Sequence, residues 1–185
     1  MGGNEVERNE YRAEMQRAMA LLAENQHTIF LGQTVAFPGS RFTYSTLADV
    51  PLEKRIELPI MEDTQMGISI GLALAGYIPV SIYPRMDFLL LAANQLGNHL
   101  EHFEELSKGE MKPKVIVRSI IGARKPIYPG PQHCQDHTEA FKLILPNMNV
   151  IKLENSRDIV PAYHHALYGT NKSSLLIDVG NAHYG

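Results

Sequence analysis

Tyr11, Met15, Ala18, Met19 and Leu22 recur at the three- and four-residue spacing that gathers them on one side of a helix, with Glu7, Arg8, Glu14 and Arg17 mostly elsewhere. The pattern predicts an amphipathic opening helix that ends near Asn25. The apolar run Thr28-Ile29-Phe30-Leu31 then predicts a short buried strand stopped by Gly32. Residues 33–55 hold Pro38-Gly39-Ser40 and Pro51 and predict a loop longer than packing requires, which makes it a candidate for function. Ile56-Glu57-Leu58 is a second strand candidate. Gly67, Ile68, Gly71, Leu72 and Leu74 predict a helix that Gly76 terminates.

The remainder keeps the same rhythm. Residues 77–82 predict a strand with Val80 and Ile82, and residues 88–106 a long helix with Leu91, Gln95, Asn98 and His102 at turn-like spacing. Lys114-Val115-Ile116-Val117-Arg118 is the clearest strand in the chain. A Gly- and Pro-rich loop over 121–137 leads to a short helix around Ala140, Phe141 and Ile144. Strand is predicted again at 150–153, helix at 157–168 and a last strand at 175–178. Strands alternating with helices imply an α/β, doubly wound, mostly parallel sheet covered on both faces. There is no internal repeat.

Composition narrows the picture. With 185 residues, 44% hydrophobic and 20% charged, the whole chain is expected to form one domain. A net charge of -3 and the lack of a local basic patch argue against nucleic acid or an anionic membrane as partner. Cys134 is the only cysteine, so neither an intrachain disulfide nor a Cys-built structural metal site is expected, and a reducing compartment fits. The first residues carry no basic-then-apolar leader and no apolar run reaches membrane-spanning length, which gives a soluble, cytoplasmic expectation.

In an open parallel sheet, ligands bind beyond the carboxyl ends of the strands. Three loops there carry chemistry: Glu62 in 59–65, then Tyr83, Arg85 and Asp87 in 83–87, then His133, Cys134, Gln135, Asp136 and His137 in 121–137. Glu62 and Asp63 at a helix start serve equally as dipole partners and caps. The alternative for Glu62 is a partly buried carboxyl of raised pKa that exchanges a proton with a bound heterocycle, with Ile60, Met61 and Met66 providing the apolar surroundings. His133 to His137 offer metal-ligand types but no identifiable fourth partner, so an acid, base or anion-donor histidine is the more economical reading and no metal ligands are assigned. Phe88 would ordinarily be core. Arg85, between Pro84 and Met86, suits recognition of a carboxylate or phosphate. His99, His102, His164 and His165 have no constellation around them. Neither G-x-G-x-x-G nor a phosphate-binding P-loop is present, so no nucleotide site is supported.

Several stretches match one family in one order: Leu31-Gly32-Gln33-Thr34-Val35-Ala36, Pro59-Ile60-Met61-Glu62, Gly67 through Val80, Asp87-Phe88, Asn94-Gln95 and Gly130-Pro131-Gln132-His133-Cys134-Gln135. On these the chain resembles the pyrimidine-binding domain of the transketolase-like thiamine diphosphate enzymes, above all the beta subunit of pyruvate dehydrogenase-type 2-oxo acid dehydrogenases. The resemblance covers nearly all of the chain after the first helix. It implies that Glu62 hydrogen-bonds the ring nitrogen of the cofactor's aminopyrimidine and so helps to generate the reactive carbanion. It further implies that Phe88 stacks on that ring and that His133 faces the substrate.

The family's diphosphate- and Mg-binding signature, Gly-Asp-Gly with a later Asn, is not in this sequence. The resemblance therefore implies a second subunit that carries the diphosphate and Mg domain, with thiamine diphosphate held across a heterotetramer interface. The family's beta subunits continue into a further domain that this sequence, ending at Gly185, does not include, which leaves docking to an acyltransferase core without support. The expected substrate is a 2-oxo acid, decarboxylated with transfer of the acyl or aldehyde unit. Ketol transfer from a ketose and a non-catalytic assembly role are the alternatives.

Overall fold

In the computed structural model, which describes residues 3–37, 41–124 and 128–179, helices and strands alternate almost throughout. The order is α1 (Gly3–Glu24), β1 (Thr28–Gly32), α2 (Arg41–Thr46), β2 (Arg55–Glu57), α3 (Glu62–Leu74), β3 (Ile78–Tyr83), α4 (Met86–Leu89), α5 (Phe103–Leu106), β4 (Ile116–Ile120), α6 (Thr138–Ile144), β5 (Asn149–Leu153), α7 (Ser156–His164) and β6 (Ser174–Asp178). The six strands form one all-parallel sheet in the order β2-β1-β3-β4-β6-β5. Every residue of β4 and β6 is buried, as strands covered on both faces must be. The α/β architecture expected from the alternating pattern is therefore present.

The predicted face of α1 is the one that packs, with Tyr11, Met15, Ala18, Met19 and Leu22 all in the core. This helix lies against α7. Its Tyr11 hydroxyl donates to the Leu153 carbonyl at 2.9 Å and accepts from the Val179 amide at 3.1 Å, which ties α1 to the carboxyl ends of β5 and β6. Burial pushes that phenol well above its ordinary value, helped by the nearby Asp178. Arg118 on β4, wholly buried, meets Asp178 on β6 at 2.9 Å and donates to Thr46 Oγ1 at 2.8 Å. An ion pair so placed survives only because hydrogen bonds complete it.

Three expectations shift. Residues 33–55 are not all loop: α2 and a 3-10 turn, Leu52–Lys54, fall within them, while the Pro38-Gly39-Ser40 turn lies outside the described residues. The backbone amides of Thr34, Val35, Ala36 and Phe37 all donate to the carboxylate of Glu57, which anchors this segment to the end of β2. Strand β4 begins later than the apolar run suggested, because Lys114 leaves the ladder and its ammonium donates to the carbonyls of Leu167 and Thr170, each at 2.6 Å. The helix predicted over 88–106 is a succession of α4, a 3-10 turn (Leu90–Ala92), a π turn (Gln95–Leu100) and α5. At Gly97 in the π turn a Cβ would stand 3.0 Å from Ile144 Cγ2, so close packing on α6 occupies that side. Among the described residues, no helix is long and apolar enough to cross a membrane.

Candidate active site

The strand order places a switch point between β1 and β3, since the chain continues from β1 to β2 on one side and β3 pairs on the other. At the carboxyl end of β1, Gly32 has φ +149°, and a Cβ on it would lie 2.3 Å from the Ile82 carbonyl oxygen, so only a bare residue lets the strands approach. The next residue, Gln33, donates from Nε2 to the Pro59 carbonyl at 3.0 Å and to Gln65 Oε1 at 3.0 Å. Gln65, fully buried on α3, donates in turn to Ser81 Oγ and to the Ile82 carbonyl, both at 3.1 Å. This amide relay fixes the corner from which α3 starts.

Glu62 is the first residue of α3 and is 5% exposed. The Tyr83 hydroxyl, at the end of β3, donates to the Glu62 carbonyl at 3.2 Å. Burial, outweighing the nearby Ser81 hydroxyl, holds the Tyr83 phenol above its ordinary value. Met61 occupies the cap position and no side chain caps the helix. Asp63 meets Gln95 Nε2 at 3.4 Å, whereas the Glu62 carboxylate receives no hydrogen bond among the described residues. The capping reading thus fails for Glu62. Its surroundings also differ from the expected ones, because Ile60 is 83% exposed and Met61 is on the surface, leaving Met66 as the buried member of that trio.

The loop after β3 and the loop after β4 meet. The ring of Phe88, half-buried in α4, stands at 5.4 Å from the imidazole of His133, with the planes 81° apart. Asp87, almost wholly buried, accepts from the backbone amide of Gln135 at 3.3 Å and from its Nε2 at 3.0 Å through a single oxygen, Oδ1. Cys134 donates its thiol to the Ala123 carbonyl at 3.1 Å. Gly122 lies flat against the His133 turn, since a Cβ there would fall 1.8 Å from the His133 carbonyl oxygen and 3.4 Å from Arg85 Cδ. Arg85, Phe88 and His133 are therefore brought together. Burial lowers the Arg85 guanidinium from its ordinary value, against the opposing pull of Cys134 and Asp87.

The five residues from His133 to His137 do not converge on a point. Cys134 turns to Ala123, Gln135 to Asp87, and Asp136 accepts from the Thr138 amide and hydroxyl and pairs with Lys152 at 2.9 Å. Among the described residues no group of three or more His, Cys, Asp or Glu could hold a metal ion. His102 pairs with Glu105, and His164 stacks near Tyr168, so these remain apart from the site. Gln33 and Gln65 carry no sequence signal for this role, because a hydrogen bond between distant amides leaves no periodic trace.

No protein-family model matches the chain. It is 28% identical over 134 residues to the pyruvate dehydrogenase E1 component subunit beta of Gracilaria tenuistipitata var. liui, covering 69% of this chain and 40% of that one. It is 28% identical over 132 residues to the 3-methyl-2-oxobutanoate dehydrogenase subunit beta of Mycobacterium tuberculosis, covering 68% and 38%. The chain thus spans about 40% of the length of the curated relatives it matches. Among solved structures, a split-gene transketolase described as an inactive beta4 tetramer superposes with a TM-score of 0.59 at 20% identity, over 90% of this chain and 50% of that one. The transketolase of Campylobacter jejuni gives 0.66 at 19% identity, over 90% and 25%. The chain is therefore similar in sequence to the beta subunits of pyruvate and 3-methyl-2-oxobutanoate dehydrogenases, and it carries the transketolase-like α/β fold.

Proposed function

We propose that the chain is the pyrimidine-binding subunit of a split thiamine diphosphate enzyme that acts on a 2-oxo acid, removing carbon dioxide and passing on the acyl or aldehyde unit. The observation that carries this reading is Glu62, 5% exposed as a residue at a strand-to-helix corner of the sheet's switch point, whose carboxylate has no hydrogen-bond partner among the described residues. Such a carboxyl is matched by a ring nitrogen with which it can share a proton. The half-buried Phe88 ring supplies an aromatic surface for a flat heterocycle. These residues fit the aminopyrimidine part of thiamine diphosphate. When bound, that cofactor supplies a carbanion that adds to a carbonyl and takes up the electrons of the adjoining bond.

Within that reading, Glu62 holds a proton at its carboxyl oxygen and keeps the heterocycle in register, while Gln33 and Gln65 hold the corner that aims it. Phe88 fixes the plane of the ring. His133, braced by Asp87 through Gln135 and by Gly122, presents an imidazole to the substrate and moves a proton there. Arg85 orients an anionic group. The diphosphate and its Mg ion fall to a second subunit, in keeping with the missing Gly-Asp-Gly signature. The test is calorimetric: the isolated chain binds thiamine diphosphate weakly, and binding tightens when a chain bearing that signature is added. Tight binding by the isolated chain would contradict the split site.

A further inference from the structure

Buried polar atoms nearly always find partners, and a charged group left without one in a cavity wall marks a place for a ligand to complete. At the amino ends of β4, β5 and β6, the opposite end of the sheet from Glu62, lies a cavity of about 410 Å³. Leu100, Pro113, Met148 and Ser173 line it as buried residues, so its floor is largely apolar. Glu101 lines it too and is 5% exposed. The π turn before it alters the register a regular helix would keep, with the Glu101 amide donating to the Leu96 carbonyl at 2.9 Å. Its Oε1 accepts from the backbone amide of Asn147 at 2.6 Å, whereas Oε2 is buried with no hydrogen-bond partner among the described residues.

The other charges along this wall are accounted for with one exception. Glu104 is paired with Lys112 at 2.6 Å, and the Glu105 side chain, 83% exposed, is solvated. Lys172 lines the cavity from the segment before β6 and has no ion pair among the described residues. Two opposite charges thus share one cavity, and neither meets the other. A desolvated carboxylate oxygen is costly until a donor completes it, and a charged donor does so most strongly. A plain amine would leave Lys172 unmatched, and a plain acid would leave Glu101 unmatched. We infer that the cavity binds a small zwitterion, an amino acid with a short apolar side chain, whose ammonium meets Glu101 Oε2 and whose carboxylate meets Lys172. The terminal torsion of a glutamate is broad, so Oε2 turns toward the ligand at little cost. Leu100, Pro113 and Met148 then hold the apolar side chain. This goes beyond the function proposed above and involves neither thiamine diphosphate nor a second subunit.

The full chain is titrated with L-norvaline by calorimetry and NMR, alongside butylamine and pentanoate, each of which lacks one of its charged groups. Saturable binding of norvaline is expected, at least about tenfold tighter than either analogue, with shifts at the Asn147 and Lys172 backbone amides. Glu101→Gln keeps the size and an acceptor for the Asn147 amide but not the charge, and in it norvaline should bind no more tightly than pentanoate. Lys172→Met changes an exposed residue that the fold does not depend on, and in it norvaline should bind no more tightly than butylamine. Butylamine binding as tightly as norvaline would overturn the zwitterion. So would equal norvaline affinity in the wild type and Lys172→Met. The absence of any saturable shift would overturn the site itself.

Discussion

The imidazole of His133 stands edge-on to the ring of Phe88, with centroids 5.4 Å apart and planes at 81°. One aromatic contact therefore couples the loop after β3 to the loop after β4, and Phe88 acts on both the proposed cofactor face and the proposed substrate face. Phe88→Leu keeps an apolar side chain but removes the ring, whose edge contact is worth about 0.5–1.5 kcal/mol. The His133 ring resonances should move in the NMR spectrum of this variant. Its stability in urea should fall by no more than about 1.5 kcal/mol. Unchanged His133 resonances would detach the two loops.

Asp87 separates two kinds of contribution. Its Oδ1 takes both hydrogen bonds from Gln135, and its Oδ2 takes none. Asp87→Asn can keep Oδ1 as acceptor and should be nearly neutral in a denaturant titration. Asp87→Ala leaves the Gln135 donors unpaired and should cost about 1–3 kcal/mol. Hydrogen exchange at the Gln135 amide should quicken only in the alanine variant; equal quickening in both would show that charge, not acceptor geometry, holds the turn.

Much of the fold was legible because its signals are local. The stripe from Tyr11 to Leu22, the small-residue helix closed by Gly76 at φ +92°, and the apolar strands each announce themselves within a dozen residues. Glu62 and His133 stand out as loop residues beyond the carboxyl ends of strands and gain specific roles from the family resemblance, Phe88 gains its role from the resemblance alone, and their braces come from neither. Gln33 meets Gln65, and Asp87 meets Gln135, only after the sheet has aligned its loops. The helix α2 was obscured by the prolines and glycine on either side of it, since those residues report on the ends of an element and not its interior. The 88–106 segment is less regular than its 3.6-residue pattern implies, because that pattern does not register the π turn made where Gly97 packs against Ile144.

Asp136, weighed as a metal ligand, is instead a brace for α6. Although partial burial favours its neutral form, the hydrogen bonds from Thr138 and the pairing with Lys152 hold its carboxyl below the usual value. A carboxyl whose folded value is depressed stabilises the fold above its unfolded pKa of about 3.9 and loses that contribution as pH falls through the folded value. Asp136→Asn should therefore be less stable than the wild type at pH 7, by an amount on the order of 1 kcal/mol for so exposed a group. The gap should close as the pH is lowered past 3.9 toward the folded value. A gap that persisted undiminished at the acid end would point to acceptor geometry and not charge.

The central claim concerns Glu62, a 5% exposed residue whose carboxyl has no hydrogen-bond partner among the described residues and whose backbone carbonyl is fastened to Tyr83. Glu62→Gln preserves size and hydrogen bonding but removes the exchangeable acid. The direct measurement is the rate at which the thiazolium C2 proton of thiamine diphosphate exchanges with deuterium, read by NMR in the chain assembled with its second subunit. Exchange in Glu62→Gln should fall by roughly 100-fold or more, the contribution expected of a positioned acid or base. Exchange near the wild-type rate would contradict the assignment of Glu62 and, with it, the proposed function.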